Sequence, residues 1–92
     1  MESDPDIPVR QEIEKLIERF SPEDRKLIAA LSDSDLIRLH HGYGTWLRNQ
    51  FRWNEYPHLF RFCSAKVPSE SLSFDAISEA AIRLIWLDLR SG

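Results

Sequence analysis

A chain of 92 residues supports one small domain, and its hydrophobic fraction of 42%, with 11% aromatic residues, is enough for a core and excludes a disordered chain. No run of about 18 apolar residues is present, so no membrane span is expected. The net charge of −3 excludes the strongly basic balance of a general nucleic-acid binder, and a single cysteine, Cys63, excludes an internal disulfide and suits a reducing compartment.

The acidic, polar start Met1-Glu2-Ser3-Asp4-Pro5-Asp6 is unlike a secretory signal, so a cytoplasmic location is expected. Residues 1–6 read as a flexible N-terminal tail on a single helical domain. Val9, Ile13, Leu16, Ile17 and Phe20 then fall on one helix face, with Pro8 in the first turn and Arg10, Gln11, Glu14, Lys15 and Glu18 on the solvated side. Ser21-Pro22-Glu23-Asp24 is a helix start, combining a capping serine, a first-turn proline and acids at the positive end of the helix dipole. Leu27, Ile28 and Leu31 are the expected buried edge of this short second helix.

Ser32-Asp33-Ser34-Asp35 ends it and caps the next, with Ser32 as N-cap and Leu31 and Leu36 as a hydrophobic staple. The third helix is expected from about Asp33 to Arg52, with Leu36, Leu39, His40, Tyr43, Leu47, Gln50 and Phe51 as its inward stripe. Asn54-Glu55-Tyr56-Pro57 breaks the pattern, since a residue before proline leaves the helical region. A short fourth helix follows, with Leu59, Phe62 and Cys63 inward, then a loop at Val67-Pro68-Ser69-Glu70-Ser71. The last helix starts near Ser73, with Leu72 and Ile77 as a second staple, and is apolar on nearly every side from Ala80 to Leu89. The expectation is an all-α, compact bundle of four or five helices.

The third helix carries the unusual run Leu39-His40-His41-Gly42-Tyr43-Gly44-Thr45-Trp46-Leu47-Arg48-Asn49. Each helical glycine costs about 1 kcal/mol relative to alanine, so two of them call for a packing or a functional reason. At about 100° per residue, His40, Tyr43 and Leu47 share the core face, and Gly42 and Gly44 flank it as points of close approach. His40 reads as a core histidine bonded to a backbone carbonyl or to Asp75 or Asp88. His41, Thr45, Arg48 and Arg52 form a second, polar line. That line suits a phosphate backbone, Arg48 with Asn49 suits a carboxylate, and an Arg48 ion pair inside the fold is the plainer reading. Trp46, Trp53 and Trp86 read as packing between the third, fourth and fifth helices. If Trp46 and Trp53 are exposed beside Arg52, they instead make a protein-binding hot spot.

This run resembles a family of small uncharacterised bacterial proteins with the pattern Leu/Tyr-His-His/Phe-Gly-Leu-Gly-x-Trp-Ile-Arg-Asn behind an acidic helical lead-in. The likeness spans about residues 20–85, from Ser21-Pro22-Glu23-Asp24 through Ser34-Asp35-Leu36-Ile37-Arg38 into the run. The chain departs from the family at Gln50-Phe51-Arg52-Trp53-Asn54, where Asn-Trp-Gly-Leu-Trp is usual, and at Asp75-Ala76-Ile77-Ser78, where Asp-Asp-Met-Ser is usual. The resemblance implies a bacterial or phage origin, supplies no catalytic assignment, and marks His40, Gly42, Gly44, Trp46, Arg48 and Asn49 as the positions to test.

Chemistry elsewhere is sparse. His40, His41, His58 and Cys63 lack the convergent spacing that zinc needs, so no metal and no cofactor are expected. Cys63 lies in apolar Phe60-Arg61-Phe62-Cys63, where a thiol is inert, and no nucleophile elbow or phosphate loop occurs, so no catalytic residue is assigned. Charge is uneven: residues 1–35 hold five basic and ten acidic residues, 38–66 five and one, and 67–92 two and four. The expected function is a non-catalytic protein-binding module: an antitoxin, an immunity protein or an inhibitor of a host defence complex. Its binding residues are His41, Thr45, Trp46, Arg48, Asn49, Arg52 and Trp53. Its structural residues are His40, Gly42, Tyr43, Gly44 and Trp86. The expected partner is a protein, basic or nucleic-acid-handling, with a homo-oligomer left open. The alternative is a nucleic-acid binder using the basic stripe of the third helix.

Overall fold

Five helices follow one another in the computed structural model, which describes residues 6–91: α1 (Asp6–Glu18), α2 (Pro22–Ala29), α3 (Leu36–Arg52), α4 (Pro57–Lys66) and α5 (Phe74–Ser91). Short 3-10 turns at Asp33–Asp35 and Ser69–Ser71 precede α3 and α5. The protein is an all-α bundle. Of the residues read as a tail, 1–5 lie outside the described residues, and Asp6 opens α1.

The apolar α5 lies at the centre. It buries Ile77, Ser78, Ala81, Ile82, Ile85 and Trp86, packs most extensively on α3, and also meets α4, α2 and α1. Leu16, Leu47, Leu59 and Ile85 are fully buried and come from four different helices. The Trp86 indole N–H donates to the Leu31 carbonyl at 3.0 Å, tying α5 to the end of α2, while the Arg90 guanidinium lies 4.7 Å from its ring centre.

Local chemistry sets several helix ends. The Ser21 hydroxyl accepts from the Asp24 amide (3.1 Å), and the Ser73 hydroxyl accepts from the Ala76 amide (3.1 Å), so both serines cap as their sequence context predicts. Arg25 reaches back to the C-terminus of α1, donating to the carbonyls of Ile17 and Glu18 at 3.1 and 3.4 Å. Asn54 ends α3 in the left-handed region (φ 58°). Its amide donates to the Phe51 carbonyl and the Glu55 amide to the Gln50 carbonyl, both at 3.0 Å, which is a Schellman turn.

The start of α4 is capped from a distance. Pro57 occupies its first turn, and Tyr56 at the cap position makes no side-chain cap bond. The buried carboxylate of Glu12 instead accepts from the amides of His58 (3.3 Å) and Leu59 (2.7 Å). An anion thereby sits at the positive end of the α4 dipole and satisfies two first-turn donors.

Three expectations require correction. Leu27 is 66% exposed, because only Ile28 on this two-turn helix faces the core. Ser32 makes no cap bond, and its hydroxyl meets Asp35 (2.9 Å) and Ser34 (3.0 Å) around a 3-10 turn, so α3 starts at Leu36 rather than Asp33. Leu72 is 51% exposed and does not seal the start of α5.

Candidate functional site

The polar line of α3 is largely engaged within the fold. The Thr45 hydroxyl donates to the His41 carbonyl at 3.2 Å and accepts from the Arg48 guanidinium at 3.2 Å. Arg48 also pairs with Asp75 in the first turn of α5. Its carboxylate partner is thus internal, and the ion pair stitches α3 to α5. Arg52 extends over the Phe74 ring, 5.5 Å from its centre. Phe74 in turn meets Phe60 (5.5 Å), which meets the buried Phe51 (5.4 Å), so an aromatic chain runs from core to surface beneath Arg52. Side chains of His41 and Asn49 are exposed, and the Asn49 carbonyl accepts from the Trp53 amide at 3.1 Å.

The three tryptophans part company. Trp86 is core. Trp46 is half-buried, stacked on Tyr43 at 5.3 Å, with the Arg19 guanidinium 4.9 Å from its ring centre. Tyr43 meets Phe20 at 4.9 Å, so this aromatic group packs on the end of α1 and not between α3, α4 and α5 as the helix face alone suggested. Burial chiefly, with Tyr56 nearby, pushes the Tyr43 phenol up from its ordinary value, and Arg19 partly offsets this. Trp53, at the C-terminal end of α3, is 68% exposed. Trp46 and Trp53 are therefore not presented as one exposed pair.

The two glycines also differ. A Cβ built on Gly42 meets nothing within 4 Å, so Gly42 is no packing point. Gly44 is buried, and a Cβ there would lie 3.1 Å from His40 Nδ1 and 3.4 Å from Ile82 Cδ1. His40 Nδ1 is buried and has no hydrogen-bond partner among the described residues, contrary to the bonded core histidine expected. Asp75, one partner proposed for it, is held by Arg48. The hydroxyls of Tyr43 and Ser78 are likewise buried without partners.

His40 forms part of the wall of a cavity of about 110 Å³ between the Asp33–Asp35 turn, α3 and α5. Arg83 and Asp33, both in its lining, pair at 2.6 Å. Periodicity placed His40 on the inward face but gave no sign of this opening, which depends on residues from α5. Glu12 was also missed. It lies three residues after Val9 and four before Leu16, within the apolar stripe, and that position was its available signal.

Cys63 is buried, and desolvation pushes its thiol up to about 12, with Lys66 slightly opposing. A thiol held protonated at neutral pH is a poor nucleophile. His41 and His58 are exposed on separate helices, and among the described residues no group of three or more His, Cys, Asp or Glu side chains converges as metal ligands. No described helix is long and apolar enough to cross a membrane.

No curated protein and no solved structure matches the chain at significant similarity. A family model described as Domain of unknown function (DUF6794) matches residues 8–87, from the first turn of α1 nearly to the end of α5. The chain belongs to that family.

Proposed function

We propose that this protein is a non-catalytic protein-binding module whose contact surface centres on the corner between α3 and α4. The observation that carries this reading is Trp53, an indole 68% exposed on a turn fixed by the Schellman hydrogen bonds and the left-handed Asn54. Trp and Arg dominate the energetics of protein interfaces, and a backbone turn already fixed loses little entropy on binding. Arg52, beside Trp53, is exposed while its guanidinium covers Phe74, so the corner offers apolar area and charge together.

The partner that suits the chain is a basic or nucleic-acid-handling protein whose positive surface meets the acidic N-terminal third, while the corner itself, in the basic segment 38–66, takes an apolar or acidic patch of the same partner. Antitoxin, immunity protein and inhibitor of a host defence complex are the concrete forms, in the cytoplasm of a bacterium or a phage-infected cell. The resemblance of the central motif to small bacterial proteins supports that setting. Direct nucleic-acid binding is the weaker reading, because the Arg48 ion pair with Asp75 takes one of the few cations on the stripe.

A tagged full-length chain tests the proposal by capture from bacterial lysate and mass spectrometry. The expected result is a stoichiometric protein complex that is lost with Trp53→Ala at unchanged melting temperature. Recovery of the bait alone, or of nucleic acid in place of protein, overturns it.

A further inference from the structure

His40, packed on Gly44, lines a cavity that the corner surface does not use. Its volume of about 110 Å³ is somewhat smaller than the cavity of about 150 Å³ that holds benzene, and takes roughly four or five non-hydrogen atoms. Leu36, Ile37 and Ile82 make its apolar lining. Ile37 is 60% exposed, so apolar surface continues to the mouth. Asp33, Ser34, Glu79 and Arg83 supply the polar groups.

Charge selects the ligand. Asp33 and Arg83, paired with each other, neutralise one another. Glu79, on the same face of α5 one turn before Arg83, has no ion-pair partner among the described residues. The lining thus carries one uncompensated carboxylate beside an imidazole. His40 Nδ1 is packed toward Gly44, which leaves Nε2 as the ring nitrogen available to a ligand. An apolar lining and a free carboxylate match a short alkyl chain ending in positive charge.

We propose that this cavity is a receptor for a single small organic cation, an alkylammonium or alkylguanidinium group, with Glu79 as its counter-ion and the His40 ring in its wall. Gly44 is the positioning residue. Lacking a Cβ, it lets the His40 ring and Ile82 close the cavity wall, which gives the glycine in the motif a function as well as a packing role. The same group arrives either on a free amine or on a Lys or Arg side chain of another protein.

Titration of the full chain with n-propylammonium, methylguanidinium and n-butanol, followed by amide and side-chain NMR shifts, tests this. The two cations should give saturable shifts at Ile37, His40, Glu79 and Ile82 with Kd on the order of millimolar, as expected for ligands this small. Butanol, of similar size and uncharged, should bind at least about tenfold more weakly. Exposed Glu79 can be changed without touching the core, so Glu79→Gln should keep the melting temperature and weaken cation binding about tenfold. Gly44→Ala should weaken it while leaving every charge in place. A capped Gly-Arg-Gly peptide distinguishes the two sources: binding as tight as methylguanidinium indicates a protein side chain, and no binding indicates a free amine. Linear, non-saturating shifts, equal binding of butanol, or an unchanged Kd in Glu79→Gln overturns the proposal. Trp53→Ala should leave cation binding intact, so failure of this site and failure of the corner surface are separable.

Discussion

The two halves of α3 solve opposite problems with similar residues. From Leu36 to Leu47 the helix closes against α5, and Gly44 admits the His40 ring and Ile82 where any larger residue would crowd them. From Arg48 to Trp53 only Phe51 is core: Arg48 pairs with Asp75, Arg52 lies exposed over the Phe74 ring, and the Trp53 indole faces solvent. The difference teaches that composition does not locate a binding surface. The half that holds both histidines and both glycines packs on α5, and the half that follows presents the exposed indole.

If the Trp53 corner is rigid, what holds α4 in place should matter most. Glu12→Ala leaves two first-turn amides of α4 without their charged acceptor. We expect a loss of about 3 kcal/mol, read as a drop in Tm of at least ~10 °C by calorimetry. A drop under ~3 °C would mean that α4 is held by packing alone.

Cys63, on the inward side of α4, extends the same test to pH. Its thiol pKa is raised from 9.0 to about 12, so the folded state keeps a proton that the unfolded chain releases above pH 9. Stability from this group is complete below pH 9 and is lost as pH rises toward 12, by up to about 1.4 kcal/mol per pH unit. Tyr43, whose phenol is also raised, adds to the loss above pH 10. Cys63→Ala should reduce the alkaline slope in urea titrations between pH 9 and 11, and an unchanged slope would refute the assignment.

The glycines sharpen the contrast within the buried half. Gly42→Ala meets open space and should stabilise by about 1 kcal/mol, the ordinary helical gain. Gly44→Ala must displace His40 or Ile82, and its stability should fall about 1 kcal/mol or more below that of Gly42→Ala. Equal gains at both positions would remove the close packing from the account. Arg48→Ala should have the smallest effect, no more than about 1 kcal/mol, because the pair with Asp75 is partly exposed and screened. A double-mutant cycle with Asp75→Ala measures it.

What could be read from sequence follows from distance along the chain. Ser21 and Ser73 cap amides three residues away, and their contexts predict it. Glu12 caps amides 46 and 47 residues away, and no local pattern names such a partner. Periodicity placed Tyr43, Leu47 and Phe51 on the inward face but not the element that covers each, so Trp46 was assigned to the wrong helices. Leu27 misled because leucine next to isoleucine on a two-turn helix cannot share its only buried position. Gly42 and Gly44 are the same residue type two positions apart, and only the neighbour across the interface, Ile82, tells them apart. At the candidate site, Arg52 and Trp53 were legible as a binding composition, while the exposure that selects Trp53 over Trp46 arises from the fold.

Calorimetric titration of the captured partner against the wild-type chain and Trp53→Ala asks whether the α3–α4 corner binds a protein through this indole. Trp53→Ala should lose affinity by at least about thirtyfold, as for an interface hot spot, with Tm unchanged because the indole packs little of the core. Affinity within twofold of wild type would contradict it.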